Sequence, residues 1–160
     1  MIIAVFDTSC LSAFLKVRKE DLLSPFLLGS FVPVAVVDEL IAHPSAEFRG
    51  RAKGMLADLH VETVPRAPVE DLLVSIHLGE AEAIVMAGSK GVPVFLDDRL
   101  GRIIARQRGL EVGGTLAILK ILKQRGQIES ARPIIQEMLA SGERLSKNVI
   151  DAFLQNIGET

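Results

Sequence analysis

Asp7, Glu39, Glu80 and Asp98 are acidic residues carried by four separate segments of the chain. Asp7 closes the apolar run Ile2-Ile3-Ala4-Val5-Phe6, and Asp98 follows a second run, Val92-Pro93-Val94-Phe95-Leu96-Asp97. Glu39 lies in Val36-Val37-Asp38-Glu39-Leu40 and Glu80 in Gly79-Glu80-Ala81-Glu82-Ala83-Ile84, both in stretches of helical patterning. Carboxylates drawn together from strand ends and flanking helices repel one another unless a cation sits among them. Hard divalent ions such as Mg²⁺ and Mn²⁺ prefer oxygen ligands of this kind. An ion so held lowers the pKa of a bound water and offsets charge on phosphoryl oxygens. In-line hydrolysis of a phosphodiester then needs no protein nucleophile. The four acids therefore point to metal-dependent phosphodiester cleavage.

Each acid also has a plainer use. Asp7 and Asp98 suit helix N-caps, Glu80 suits a first helical turn, and Glu39 could be a solvated side chain. Glu82 competes with Glu80, and Asp38 with Glu39. Successive helical residues are rotated by roughly 100°, so both members of a pair rarely face one pocket. Thr8, Ser9 and Asp97 flank the strand-end acids as candidate supporting groups. Arg99, Arg102 and Arg106 share one helical face beside Asp98, where guanidinium groups could bind the phosphates of a substrate. His43, His60 and His77 show no zinc-ligand spacing and read as structural or surface residues. Cys10, the only cysteine, reads as a small buried residue and rules out an intramolecular disulfide. Gly113-Gly114-Thr115 lacks the G-x-x-x-x-G-K-[ST] phosphate loop, and no G-x-G-x-x-G follows the first apolar run. A nucleotide-binding Rossmann enzyme is thus poorly supported. Asp7-Thr8-Ser9 also lacks the second Asp of a haloacid-dehalogenase motif.

The elements that must position these residues can be read in outline. A chain of 160 residues suits one domain over 1–160, and 49% hydrophobic content argues against disorder. With 18 basic against 20 acidic residues, net −2, the chain lacks a broad basic footprint. Nucleic-acid contact must then come from local basic patches and bound metal. Without Trp or Tyr, base stacking could use only Phe. The N-terminal apolar run has no basic flank or cleavage site, and no run approaches the roughly 20 residues that span a bilayer. The expectation is a soluble, cytoplasmic protein. Strands are expected at residues 2–6, 31–32, 61–64, 92–96 and 111–112. Helices are expected through 11–15, then at 21–28, about 34–41, 47–59, 70–76, 80–90 and 98–108. A helical C-terminal segment follows at 116–125, 131–140 and 147–156. This alternation predicts an α/β domain with a mostly parallel sheet covered on both sides and a ligand site outside the carboxyl ends of its strands.

The four acids, taken in order, resemble those of the PIN-domain nucleases. That family carries an Asp after the first strand, usually followed by Thr or Ser, as in Asp7-Thr8-Ser9. It carries a Glu on an early helix in a V-x-x-E-L setting, matched by Val36-Val37-Asp38-Glu39-Leu40. A third acid begins a mid-chain helix and a fourth ends the next strand. Counting back from Gly91-Val92-Pro93-Val94 places Glu80 third and Asp98 fourth. Leu78-Gly79-Glu80-Ala81-Glu82-Ala83, Leu96-Asp97-Asp98-Arg99 and Gly113-Gly114-Thr115 look especially like a PIN-like prokaryotic subgroup related to toxin–antitoxin ribonucleases. The third acid is Glu where many relatives have Asp, and Leu96-Asp97 replaces the Thr or Asn common before the fourth. The resemblance implies a three-layer α/β/α fold and cleavage of RNA with Mg²⁺ or Mn²⁺ at Asp7, Glu39, Glu80 and Asp98. It further implies a small antitoxin protein as partner, and a homodimer. The alternative is a catalytically inactive PIN-like module that binds RNA or protein.

Overall fold

Apolar runs of two or three residues, each followed by a helix, build the sheet. The computed structural model describes residues 1–160. Its strands are β1 (Val5–Phe6), β2 (Phe31–Pro33), β3 (His60–Glu62), β4 (Val94–Phe95) and β5 (Val112–Gly113). They form one sheet in the order β3-β2-β1-β4-β5, and every pair is parallel. The helices are α1 (Thr8–Lys16), α2 (Ser24–Leu27), α3 (Val34–Ile41), α4 (Ala46–Leu56) and α5 (Arg66–Glu70), then α6 (Leu78–Lys90) and α7 (Arg99–Gln107). The C-terminal segment adds α8 (Thr115–Gln124), α9 (Arg132–Ala140) and α10 (Lys147–Asn156). No helix is long and apolar enough to cross a membrane.

Alternate strand residues serve opposite faces. Ala4 and Phe6 of the first run, and Phe95 of β4, enter a core of 28 buried residues built largely with α1, α4, α8 and α9. Val5, Val94 and Leu96 enter a second core of 12, built with α5, α6 and α7. Both faces are therefore apolar, as a doubly covered parallel sheet requires. The result is the expected three-layer α/β/α arrangement. Phe6 and Phe95 stack with ring centroids 5.2 Å apart, tying β1 to β4 on the larger side.

The first strand is shorter than its apolar run. Ala4 N–H donates to Ser30 Oγ at 3.0 Å, and that hydroxyl donates to the Phe26 carbonyl at 2.6 Å. A side chain thus replaces a ladder partner, and regular pairing begins at Val5. The short helix expected at 70–76 instead occupies Arg66–Glu70. Pro68 falls in its first turn, where a missing N–H costs nothing because that donor has no intrahelical partner.

A carboxylate near the C-terminus fastens the helical segment. Glu159 accepts from Lys123 Nζ at 2.7 Å, Ser130 Oγ at 2.6 Å, Ala131 N–H at 2.7 Å and Arg132 N–H at 3.0 Å. It thereby caps the start of α9 and ties that start to α8. Burial alone would raise its pKa. The Lys123 ammonium, the Ser130 hydroxyl and the two backbone donors outweigh burial and draw it down to about 2.

Candidate active site

The strand order puts a crevice beside β1. The chain leaves β1 for β2 and β3 on one side, then returns to β4 and β5 on the other. At such a reversal the connections leaving adjacent strands run to opposite faces of the sheet and leave room for a ligand between them. Asp7 follows β1 directly, and Asp97 and Asp98 follow β4. The helix α6 returns antiparallel to the strands to reach β4, so its first turn, with Glu80, opens at this same edge. The helix α3 departs from β2 at that edge and carries Glu39.

Asp7 has its N–H in the sheet, donating to the Phe95 carbonyl at 3.0 Å. Its side chain is only 2% exposed and makes no capping hydrogen bond to α1. Ser9 Oγ donates to its Oδ2 at 2.9 Å. Burial is the largest influence on this carboxyl and drives its pKa from 3.8 to about 7. The Ser9 hydroxyl and the Thr8 N–H oppose that rise, while the negative charges of Glu80 and Glu39 add to it. Glu80 is pushed up likewise, by burial first and by Asp98 and Glu39, against the His77 N–H that donates to it at 3.2 Å.

Asp7, Glu39 and Glu80 line one cavity of about 590 Å³, together with Thr8, Ser9 and His77. Gly79 permits their approach: a Cβ there would collide with Glu39 Oε1 and come within 3.5 Å of Asp7 Oδ1. Glu82, the rival of Glu80, turns elsewhere and accepts from Ala35 N–H at 3.3 Å, at the start of α3. Thr8 Oγ1 is a buried side-chain oxygen with no hydrogen-bond partner, and it sits on this cavity wall.

The fourth acid is adjacent rather than inside. Asp98 caps α7, accepting from Gly101 N–H at 2.6 Å, and lines a neighbouring cavity of about 610 Å³ with Arg99, Arg102 and Arg106. Asp97 is committed to structure. It accepts from Thr115 N–H at 2.7 Å and Thr115 Oγ1 at 2.6 Å, holding the Gly113-Gly114-Thr115 segment at the start of α8. Its own N–H donates to Ser9 Oγ at 3.1 Å, so Ser9 links the β4 end to Asp7. Cys10 Sγ donates to Asp97 Oδ2 at 3.7 Å, and burial first, then Asp97 and Asp7, push its thiol pKa well up. It is an unreactive buried residue, as expected.

Three further groups border the carboxylate cavity without having been singled out in the sequence. Ser12 and Lys16 line it from α1, and Glu143 from the α9–α10 connection. Lys16 Nζ pairs with Glu143 Oε1 at 2.9 Å. Ser9, Ser12 and Lys16 recur at helical spacing after Asp7, a signal that was available. Glu143 had none. His77, expected to be a surface or structural residue, also borders the cavity.

The donor chemistry suits a hard divalent cation. All the acids offer oxygen, their charges act on one another, and the orphaned Thr8 hydroxyl could meet a water. The spacing is less complete, because no three acidic, histidine or cysteine groups stand close enough to share one ion. Glu39, an exposed helical side chain, is the member with the most freedom to turn inward. The fold and the edge on which these acids lie agree with one family. No curated protein matches the chain. A family model described as a PIN domain matches residues 3–159, from β1 through Glu159, and so takes in every carboxylate placed above: the chain belongs to the PIN-domain family, a fold of nuclease type.

Proposed function

We propose that the protein is a divalent-metal-dependent ribonuclease that hydrolyses RNA phosphodiester bonds, with Mg²⁺ or Mn²⁺ held by Asp7, Glu39, Glu80 and Asp98. The observation that carries this reading is Asp7: a buried carboxylate that does not cap its helix and faces two more carboxylates across a cavity. A structural Asp would have found a cationic partner for its charge. The one lysine on the cavity wall, Lys16, is already paired with Glu143.

Bound at these acids, the ion would acidify a water and offset charge on the phosphoryl oxygens. The chain's own groups do the rest. Ser9 fixes the Asp7 carboxylate through its donated proton, and Asp97 fixes Ser9. Gly79 leaves the space in which Glu39 and Asp7 approach. Arg99, Arg102 and Arg106, along the next cavity, hold the strand by its phosphates.

The test is cleavage of single-stranded RNA by purified wild type and Asp7→Asn, with Mn²⁺ and with chelator. Cleavage that needs both Asp7 and the metal is expected. Equal cleavage by folded Asp7→Asn would reject the assignment. A second reading, a catalytically inactive module that binds RNA or protein, is favoured by the absence of a preformed three-ligand set. It predicts RNA binding with no metal-dependent turnover by the wild type.

A further inference from the structure

The cavity next to the carboxylates is the one that gathers arginines. Arg99, Arg102 and Arg106 line it from α7, and Arg144 lines it from the α9–α10 connection. None of the four lies in an ion pair, whereas Arg51 elsewhere is held by both Glu20 and Glu47. Only Arg102 has an internal partner, donating from Nη1 to the Asp97 carbonyl at 2.8 Å. Asp97, Asp98 and Glu143 line the same hollow, but each is engaged by other donors, so the four guanidinium groups face it outnumbering the carboxylates and unpaired with them. The unpaired guanidinium groups leave an excess of positive charge that an anion would relieve. No aromatic ring lines the hollow, so nothing there can stack on a base. Planar donors without stacking partners suit phosphate oxygens.

The two cavities adjoin. Glu143 lines both, and its neighbour Arg144 lines only the basic one. Asp98 sits on the wall of the basic cavity, yet its charge acts on Glu80 in the acidic one. We propose that the basic cavity is a second phosphate site, which takes a phosphate of the same strand next to the one cleaved. Arg144 is then a specificity-determining residue, and a substrate must carry at least two phosphates to bind well. The site of cleavage in this statement rests on the ribonuclease reading; the phosphate site itself does not.

The experiment is fluorescence anisotropy of a short labelled single-stranded RNA titrated with the full chain in chelator, at several salt concentrations. Arg144→Ala should weaken binding about tenfold, the worth of one charge-assisted hydrogen bond. It should also flatten the slope of log affinity against log salt by about 0.7. Arg144→Lys, which keeps the charge, should restore the slope. Arg144 is exposed, so its replacement leaves both cores intact. Arg106→Ala, on another element, should lower the same two quantities. A 5′-phosphorylated RNA and its unphosphorylated twin separate the sources of phosphate. An equal Arg144 effect on both assigns an internal phosphodiester, and an effect confined to the first assigns a terminal phosphomonoester. Unchanged affinity and slope in folded Arg144→Ala and Arg106→Ala would overturn the proposal. Arg144-dependent binding without metal-dependent cleavage would sink only the ribonuclease reading. Cleavage with Arg144-independent binding would sink only the second site.

Discussion

Glu159 and Asp7 are both carboxylates withdrawn from water, and the chain treats them in opposite ways. Glu159 meets four donors, one of them a charged lysine, and is held ionised with a pKa drawn down to about 2. Asp7 meets only the Ser9 hydroxyl and the Thr8 N–H, with no cation, among other acids, and burial drives it up to about 7. The first arrangement stabilises the fold by satisfying a charge. The second leaves a charge unsatisfied at neutral pH, which lowers stability until a cation arrives. Local frustration of this kind is expected where function, not folding, selected the residue.

Asp7→Asn breaks the contrast most sharply. Cleavage of RNA in Mn²⁺ should fall at least about a hundredfold, as for loss of a direct metal ligand. Yet urea unfolding in chelator at pH 8 should show the variant to be the more stable protein. A carboxyl carried from 3.8 to about 7 disfavours the folded ionised state by on the order of 4 kcal/mol. That figure sets the upper bound of the gain.

The pH dependence carries opposite signs in the two regions. For Asp7 the folded pKa is raised, so its contribution is most favourable below pH 3.8 and is lost as pH rises to about 7. For Glu159 the folded pKa is depressed, so its contribution is full above pH 4.5 and is lost as pH falls toward 2. Stability of metal-free wild type minus that of Asp7→Asn should therefore decline from pH 4 to 7. The wild type minus Glu159→Gln should decline from pH 4.5 downward. Chemical denaturation across pH measures both. Mn²⁺ should remove the first decline and leave the second.

Glu159→Gln should cost about 2 kcal/mol at pH 7, from loss of a charge-assisted network at a helix start. Cleavage per folded molecule should be unchanged. Gly79→Ala should weaken Mn²⁺ binding about tenfold by calorimetry, since the added methyl meets the Glu39 carboxylate. Its thermal midpoint should stay near wild type, because a flexible side chain can yield and Ala favours the helix. Normal Mn²⁺ affinity in this variant would show that the acids need no close approach. The smallest effect belongs to Thr8→Val, which removes the orphaned hydroxyl. It should change metal-free stability by less than about 1 kcal/mol, in the stabilising direction.

What was legible in the chain followed from periodicity and from topology. Apolar runs ending in Asp7 and in Asp97-Asp98 located two strand ends, and parallel crossovers bring such ends to one edge. Helical rotation separated Glu80 from Glu82, but only tertiary structure shows that Glu82 turns to the Ala35 N–H. Asp98 kept its plainer use as a helix cap while also lining a cavity, so the two readings were never exclusive. Arg144 and Glu143 could not be foreseen. They sit on a connection whose position is set by packing of α9 and α10, and no local pattern announces it. The shortening of β1 was equally hidden, because it depends on Ser30 meeting Ala4 from a distant part of the chain.

Ser9 has one proton and gives it to Asp7, while its oxygen receives the Asp97 N–H. When Asp7 takes up a proton, that acceptor weakens and the hydroxyl must reorient. The change reaches a backbone amide that does not itself titrate. The Asp97 amide resonance is thus a built-in spectroscopic gauge of the Asp7 charge. Followed by NMR through neutral pH, its shift would read the ionisation of the buried carboxyl with no substrate or turnover.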